Sequence, residues 1–261
     1  MERRWWLAAL AALAALTLFR LMVAACVPLT PDEAYYRLWA LAPAASYFDH
    51  PPMVALWIRL GMAVAGDTPL GLRALGPVST AFGSLLLAHA GALWLHRPDG
   101  RPDWTVGTRV AVLLNATLAI GLGSIIMTPD TPLIFFVTLL LWSLCWLCAG
   151  GPVCLWLVAG LAAGLGFASK YTMVLPVAGV GLWLVGSYAG RAWLRRPWPR
   201  LAGCVALPCT LPVVWWHAHH AWASLLRPGW RVLDWPPVRA LAFLSHLRGG
   251  QLGRAPALVF V

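Results

Sequence analysis

The chain has 261 residues, of which 61% are hydrophobic and only 11% are charged, well below the roughly one quarter that is usual for a soluble globular domain. A formal net charge of +10 would suggest a nucleic-acid partner in a soluble protein. Here the arginines fall mostly in short segments beside apolar runs, where membrane orientation explains them better. The composition therefore predicts a single integral membrane module over residues 1–261 with no nucleic-acid partner.

The apolar runs predict an all-α, polytopic membrane bundle of about seven transmembrane helices, because a helix needs about 20 apolar residues to cross the hydrocarbon core. The first run, 5–27, is longer than the roughly 7 to 15 residues of a signal-peptide core, so we interpret it as a retained helix. Segment 53–65 is too short to span comfortably and is predicted to be a juxtamembrane helix in a large first loop. The other predicted spans are 70–95, 107–127, 133–149, 153–169, 172–190 and 201–216.

Arginine-rich segments orient this bundle. With seven spans, they all fall on one side, which the positive-inside rule makes cytoplasmic. The loops 28–69, 128–132, 169–172 and 217–222 then lie on the extracytoplasmic side. The final run APALVFV resembles the start of a further helix, so we expect the module to be truncated at its C-terminus.

The first outer loop contains PDEAYYRLWA at 31–40, where a helix should begin. Asp32 could cap the free backbone N–H groups of that helix. The adjacent Glu33 and the aromatic Tyr35 favour a functional alternative, in which a capping carboxylate also serves as a base. Both interpretations are open from the residues alone.

Two further outer segments hold carboxylates between prolines. In SYFDHPPM the prolines after Asp49 and His50 exclude a regular helix, which leaves either a structural loop with an Asp–His hydrogen bond or an acceptor or metal contact. In TPDTP, Asp130 lies in good turn chemistry, so an ordinary turn and a functional carboxylate are both consistent. Carboxylates beside hydrocarbon are candidates for a site because burying them in lipid is costly.

Basic and sulfur-containing side chains supply the remaining candidates. Lys170 is the single lysine of the chain and either snorkels or binds a phosphate as a point charge. The histidines at 217, 219 and 220 do not match a familiar zinc spacing, so interface or phosphate contact is favoured. The CxxC of Cys145 and Cys148 lies within an apolar helix without a second ligand pair and is interpreted as structural.

Taken in order, PDEAYY, YFDHPPM, TPDTPL, GLGFASKYT and WWHAHHAW resemble the membrane module of glycosyltransferase family 39 over nearly the whole chain. The resemblance implies a GT-C fold in the bacterial inner membrane with its active site facing the periplasm or cell exterior. It also implies transfer of a monosaccharide, with inversion, from a polyprenyl-phosphate carrier to a hydroxyl of an envelope lipopolysaccharide, lipid, glycan or protein.

The same resemblance implies roles for individual residues. Asp32 would act as general base, with Glu33 in support. The growing charge on the donor phosphate would be stabilised by Lys170, with Arg37 and His220 as further phosphate contacts, or by a divalent metal ion bound at Asp32 and Asp49. The residues expected to shape the acceptor site are Asp49, His50, Asp130 and Tyr35.

Two other classes of function compete with the transferase. A transporter or flippase also needs many helices, but such proteins bind near the bilayer midplane, whereas the charged candidates here lie in loops at one surface. A non-catalytic relative could bind a glycolipid without turnover. The discriminating observation is whether Asp32, Asp49, Asp130 and Lys170 surround one site.

Overall fold

The structure, a computed structural model, describes residues 2–222, and the helix expected at the C-terminus lies outside that range. The described part is all-α, as predicted, and contains no strand. Its helices are α1 (Glu2–Cys26), α2 (Pro31–Leu41), α3 (Met53–Ala65), α4 (Pro69–Arg73), α5 (Leu75–Trp94), α6 (Trp104–Ala116), α7 (Leu118–Gly123), α8 (Asp130–Cys148), α9 (Leu155–Phe167), α10 (Val174–Gly186), α11 (Tyr188–Leu194) and α12 (Trp198–His219), with a 3₁₀ turn at Tyr171–Met173.

In the described part of the chain, fewer helices than the seven predicted spans pass a test of length and hydropathy. Within residues 2–222, four stretches are long and apolar enough to cross a membrane: Trp5–Cys26, Pro69–Trp94, Asp130–Cys148 and Trp198–His219. A fifth is possible if α10 and α11 count as one span, although they meet at 96°. Helix is present in all seven predicted runs, but α9 has only 13 residues, and the run 107–127 is divided between α6 and α7. Thr117, with extended backbone (φ −69°, ψ 138°), ends α6 and caps α7 through its side chain.

Small residues bring the helices together and show their relative directions. A Cβ added at Gly91 would meet Val110 and one added at Gly107 would meet Ala88, so α5 and α6 approach closely. They are antiparallel, because Asn115 donates to Ser84 and the Asp103 amide donates to the Ala92 carbonyl. Added Cβ atoms at Gly160 and Gly164 would meet Ala202 and Ala206, so α9 and α12 run parallel. This is the small-residue packing typical of helices in lipid, where close approach of backbones supplies the contact energy.

The first loop folds into the short helices that the sequence predicts. Helix α3 has the predicted bounds and buries one face, on which Val54 and Ile58 are fully enclosed. It belongs to a core cluster that also includes Tyr36 and Trp39 of α2. Tyr47 stacks on Trp39 at 4.5 Å between ring centroids and donates a hydrogen bond to the Trp39 carbonyl, which fastens the loop after α2 onto the helix.

The helix directions give the bundle two chemically different ends. The segments around Asp32, Asp49, Asp130 and Lys170 all lie at one end of the bundle, which we call the acidic end. This end holds the C-termini of α1 and α9 and the N-terminus of α8. The arginine-rich loops between α5 and α6 and between α10 and α12 lie at the other end, the basic end. The separation of charge that the sequence analysis predicts is therefore present in the fold.

Candidate active site

The start of α2 gives its two adjacent acids different surroundings. Thr30, not Asp32, is the N-cap: its hydroxyl accepts a hydrogen bond from the Glu33 amide, and the Glu33 carboxylate accepts one from the Thr30 amide. The interpretation of Asp32 as the capping residue is therefore wrong, because a reciprocal capping box occupies that role. Asp32 is exposed, and its carboxylate accepts no hydrogen bond from residues 2–222.

Glu33 is fully buried, and both oxygens of its carboxylate accept hydrogen bonds. Arg73 donates from Nε to Oε1 and from Nη2 to Oε2, both at 2.6 Å, and the Met127 amide donates to Oε1 at 3.0 Å. Burial would raise the pKa of Glu33, but the hydrogen bonds from Arg73, Thr30 and Met127 outweigh it and lower that pKa. A carboxylate so held stays ionised and has little capacity left to accept a proton.

Arg73 completes a junction between α1, α2 and α4. Its guanidinium is 1% exposed. Besides Glu33, it donates to the carbonyls of Ala24, Val27 and Pro28 at 3.1, 2.7 and 2.8 Å. This pair therefore fixes the entry of the chain from α1 into α2 and, through Met127, the turn that leads to Asp130.

The rigid loop SYFDHPPM places Asp49 and His50 against the aromatic face of α2. Tyr35 donates its hydroxyl hydrogen to Asp49 Oδ2 at 3.0 Å, so the partner of this carboxylate is Tyr35 rather than the neighbouring imidazole. The His50 ring lies 6.1 Å from that of Tyr36 and 6.4 Å from that of Trp39. Three of the predicted site residues thus meet on one side of α2.

Lys170 and Asp130 form an ion pair at the same end of the bundle. Lys170 Nζ lies 2.7 and 2.8 Å from the two carboxylate oxygens of Asp130, with the side chains 29% and 51% exposed. The Met53 amide donates to the carbonyl of Ala168 at 3.0 Å. That bond joins the FDHPPM loop to the segment carrying Lys170.

The pKa values of His50 and Tyr36 respond to these charges. Burial lowers the pKa of His50, and Lys170 lowers it further, whereas Asp49, Asp130 and Asp32 act in the opposite direction. Burial raises the pKa of Tyr36 to about 12, with contributions from the same three aspartates. The three aspartates thus lie within electrostatic range of the buried Tyr36, which the prediction of site residues did not include, and Lys170 lies within range of His50.

Two of the predicted phosphate contacts have other partners. Arg37 donates to both carboxylate oxygens of Asp67, with Nε 2.7 Å from Oδ1. This pair is exposed, and Asp67 lies just before α4 in the chain. His220 is exposed, and its ring stacks on that of Trp216 with 3.8 Å between the ring centroids. Its Nδ1 donates a hydrogen bond of 2.7 Å to the Trp216 carbonyl. The pair with Asp67 uses Nε and Nη2 of Arg37, and phosphate binding by Arg37 and by His220 stays a prediction.

His217 occupies a more central place than the sequence suggested. It is 1% exposed, and its Nε2 lies 2.5 Å from the hydroxyl of Tyr171, which is adjacent to Lys170. The end of α12 is thereby joined to the segment that carries the candidate phosphate ligand. Only the clustering of histidines hinted at this contact, since nothing in the spacing pairs residues 171 and 217.

A second buried charge lies inside the first span, where sequence reasoning did not look. Arg20 is 3% exposed and donates from Nη1 to Asn115 Oδ1 at 2.7 Å, while Asn115 donates to Ser84 Oγ at 2.8 Å. Within residues 2–222, Arg20 Nε has no hydrogen-bond partner. A single arginine in an apolar run is the signal that could have drawn attention to it.

The possible metal site has two carboxylates as its predicted ligands, Asp32 and Asp49. Across residues 2–222, no group of three or more His, Cys, Asp or Glu side chains is close enough to hold a metal ion. A divalent ion would therefore take its remaining ligands from water or from the donor phosphate, which is usual for Mg²⁺. A metal requirement stays a prediction.

Comparison with known proteins agrees with this architecture. The family model described as dolichyl-phosphate-mannose-protein mannosyltransferase matches residues 49–216. A lipid A galacturonosyltransferase, RgtD, of Rhizobium johnstonii is 30% identical over 190 residues, which are 72% of this chain and 38% of that protein. The structure of the S. cerevisiae protein O-mannosyltransferase Pmt1–Pmt2 complex bound to the sugar donor matches with a TM-score of 0.54 and 17% identity, over 81% of this chain and 33% of that chain.

The all-helical bundle with several apolar helices has the GT-C fold of that structure. Within the GT-C class, the chain belongs to the dolichyl-phosphate-mannose-protein mannosyltransferase family. It spans less than two fifths of the length of the relatives it matches. The predicted fold and family are confirmed.

Proposed function

We propose that the chain forms the acceptor-activating part of an inverting glycosyltransferase, which moves a monosaccharide from a polyprenyl-phosphate carrier to a hydroxyl of an envelope acceptor. The observation that supports this most directly is that Asp49, paired with Tyr35 of α2, and the Lys170–Asp130 pair lie on segments joined by the Met53–Ala168 hydrogen bond, with the exposed Asp32 at the start of α2. A transporter would place such charges near the bilayer midplane. In this protein they adjoin helix termini at one end of the bundle.

Asp32 is the proposed general base. It is exposed, and the capping and ion-pair roles at the start of α2 belong to Thr30 and Glu33. Its carboxylate would take the proton of the acceptor hydroxyl as that oxygen attacks the anomeric carbon. The bond from the anomeric carbon to the phosphate oxygen breaks, and the polyprenyl phosphate leaves with the electron pair.

Lys170 is the proposed stabiliser of the leaving phosphate. Asp130 holds its ammonium group in a defined position, and a fixed positive charge aimed at developing negative charge is an effective catalytic arrangement. Half of the Asp130 side chain is exposed, so the pair is accessible from outside. A phosphate could share or replace the carboxylate as the partner of the lysine.

Asp49, His50 and Tyr35 are proposed to shape the acceptor site, since the hydrogen bond from Tyr35 fixes the carboxylate of Asp49 beside His50. Glu33 is proposed as a positioning residue because its acceptor capacity is used by Arg73, Thr30 and Met127. Arg37 is proposed to brace the first loop through Asp67.

The name of the rhizobial relative makes lipid A the first acceptor to test. We place the protein in the bacterial inner membrane, with the acidic end facing the periplasm. The arginine-rich loops at the other end support this orientation, because the positive-inside rule assigns such loops to the cytoplasm. Reaction on the outer side would suit an acceptor that belongs to the envelope.

The proposal is tested by transfer of radiolabelled sugar from polyprenyl-phosphate donors to lipid A in membranes. The protein carrying Asp32→Asn is compared with the wild type at equal expression, with Asp99→Asn as the matched control. Asp99 is an exposed acid at the basic end, so its amide should leave transfer unchanged. We expect Asp32→Asn to lower the rate by about 100-fold or more, as for loss of a general base.

An unimpaired Asp32→Asn protein would show that the base is assigned wrongly. Absence of transfer by the wild-type protein from every donor, combined with specific retention of a glycolipid, would favour the binding alternative. Addition of EDTA to the same assay tests the divalent ion, and full activity in its presence would remove the metal from the proposal.

A further inference from the structure

An apolar groove runs along the basic half of the bundle, between α1, α5 and α6. It encloses about 670 Å³, and its walls include Ala12, Leu13 and Leu16 of α1 with Ala111 and Val112 of α6. Its lining extends along α1 from Trp6 to Leu16, which is about 15 Å of helix. That length is half of the roughly 30 Å hydrocarbon core of a bilayer, so the groove has the depth of one leaflet.

Small side chains create this space. Gly107 and Gly91 draw α5 and α6 together by contacts with Ala88 and Val110, and the alanines of α1 facing them are too short to fill the cleft that results. The deep end of the groove is closed by Ser84 and Asn115, which are hydrogen-bonded to each other and, through Asn115, to Arg20. Because the polar atoms of Ser84 and Asn115 are satisfied by each other and by Arg20 and the Thr80 and Ala111 carbonyls, the deep end suits the end of an apolar chain.

The groove opens into a recess that has the character of a membrane interface. The recess encloses about 1090 Å³ and shares Trp6, Ala9 and Thr108 with the groove, so the two are continuous. Trp5, Trp6 and Trp104 line it, and the last two pack edge to face at 4.5 Å. Tryptophans of this kind lie at the level of the lipid headgroups.

A positively charged side chain lies at the recess into which the groove opens. Arg109 lines the recess and is exposed, and it has no hydrogen-bond or ion-pair partner among residues 2–222. Arg97 lines the recess as well. The acid nearest to Arg109 along the chain, Asp103, is engaged as the N-cap of α6 through the Thr105 and Val106 amides. Arg109 therefore presents an unpaired positive charge at the mouth of the apolar groove.

We propose that the groove and its mouth bind one anionic phospholipid of the inner leaflet, with an acyl chain between α1 and α6 and its phosphate beside Arg109. An apolar channel of leaflet depth, a tryptophan-lined rim and an unpaired cation are the three features that such a lipid requires. The groove is distinct from the candidate active site, because its mouth at Trp6 and the end of α1 at Cys26 are separated by about 30 Å of helix. The proposal does not depend on the transfer reaction.

Native mass spectrometry of the purified chain tests this inference. The protein is released from micelles containing equal amounts of phosphatidylglycerol and phosphatidylcholine, and the retained lipid is counted for each variant. We expect one phosphatidylglycerol to be retained in preference, and Arg109→Gln to weaken that preference by about fivefold, the effect of one basic residue near an anionic headgroup. Ala12→Phe, which fills the groove, should reduce retention of both lipids.

Matched controls separate a site from general attraction to lipid. Arg195→Gln removes an exposed arginine at the same end of the bundle, and Ala15→Phe adds a ring to an exposed position of α1 outside the groove. Both should behave as the wild type. Equal retention of the two lipids, or equal effects of the control and test variants, would overturn the proposal. Preferential retention of a polyprenyl phosphate added to the micelles would also overturn it, because the groove would then hold the donor's chain.

Discussion

Arg73 and Glu33 lie side by side in the interior of the protein, joined by two hydrogen bonds of 2.6 Å. Their side chains are 1% and 0% exposed, and the same carboxylate accepts the Met127 amide just before the turn of Asp130. One ion pair therefore connects the helix that carries Asp32 with the turn that carries Asp130. The acid beside the proposed base thus holds the site together and is a poor candidate for proton transfer.

Replacing Glu33 by Gln should destabilise the fold strongly. The change keeps the shape but leaves the buried guanidinium of Arg73 without a counter-charge, and breaking a buried pair in this way typically costs about 3 to 5 kcal/mol. The midpoint of thermal unfolding in detergent measures the effect. Arg37→Gln is the control, because it breaks the bidentate but exposed pair with Asp67, and exposed pairs contribute little. Equal losses in the two variants would contradict the role given to Glu33.

Exchanging the charges of Lys170 and Asp130 should separate their structural role from their catalytic one. Lys170→Met alone should lower sugar transfer by about 100-fold, comparable with removal of one group that stabilises a developing anion. The double variant Lys170→Asp with Asp130→Lys restores an ion pair and should recover thermal stability without recovering transfer. The rates are measured with the polyprenyl-phosphate donor varied. Recovery of transfer in the double variant would show that only the ion pair matters.

His50 should make the protein less stable in mild acid. Burial, with the charge of Lys170, holds the pKa of His50 below its ordinary value despite the aspartates, so the folded protein favours the neutral ring. An unfolded imidazole titrates near about pH 6.5. The stabilisation is therefore present above that pH and is lost as the pH falls through the lower folded pKa.

The measurement for His50 is the change in unfolding midpoint between pH 7.5 and pH 5.5, values chosen to bracket the ordinary imidazole titration at about 6.5. It should be smaller in His50→Gln than in the wild type. His219→Gln serves as control, since that ring is exposed and should leave the difference unchanged. The same pH response in His50→Gln and wild type would assign the acid sensitivity to another group.

The sequence predicts which segments form the site better than it predicts what each residue does there. Apolar runs and prolines place Asp49, Asp130 and Lys170 at helix ends on one side, and the structure brings them together. Asp32 and Glu33 are indistinguishable by such patterns, because their difference depends on Arg73, forty positions along the chain. Polar contacts between distant residues leave no local periodicity.

The division of 107–127 into two helices was also beyond prediction, since hydropathy averages over the break at Thr117. The resemblance implies that Arg37 binds phosphate, which stays a prediction, and no local pattern indicates its pairing with Asp67, thirty positions along the chain. The fold class, by contrast, follows directly from composition, because a chain so poor in charge has few alternatives to helices in lipid.

Arg20 and Asn115 provide a test of how a charge is tolerated within a span. Asn115 Oδ1 accepts the hydrogen bond from Arg20 Nη1. Asn115→Ala should therefore leave a buried cation without that acceptor and lower the thermal midpoint. Arg20→Met removes the charge together with its need for a partner, and should cost less or even stabilise the bundle, as replacement of buried ions by apolar side chains often does.

The decisive sample is the double variant Arg20→Met with Asn115→Ala. If the penalty of Asn115→Ala comes from the stranded charge, the double variant should be more stable than Asn115→Ala alone, a coupling of about 0.5 to 3 kcal/mol for residues in contact. Ser84→Ala is included to measure the separate loss of the hydrogen bond from Asn115. Additive effects of the two substitutions would mean that Asn115 acts through packing, and that Arg20 obtains its stabilisation elsewhere.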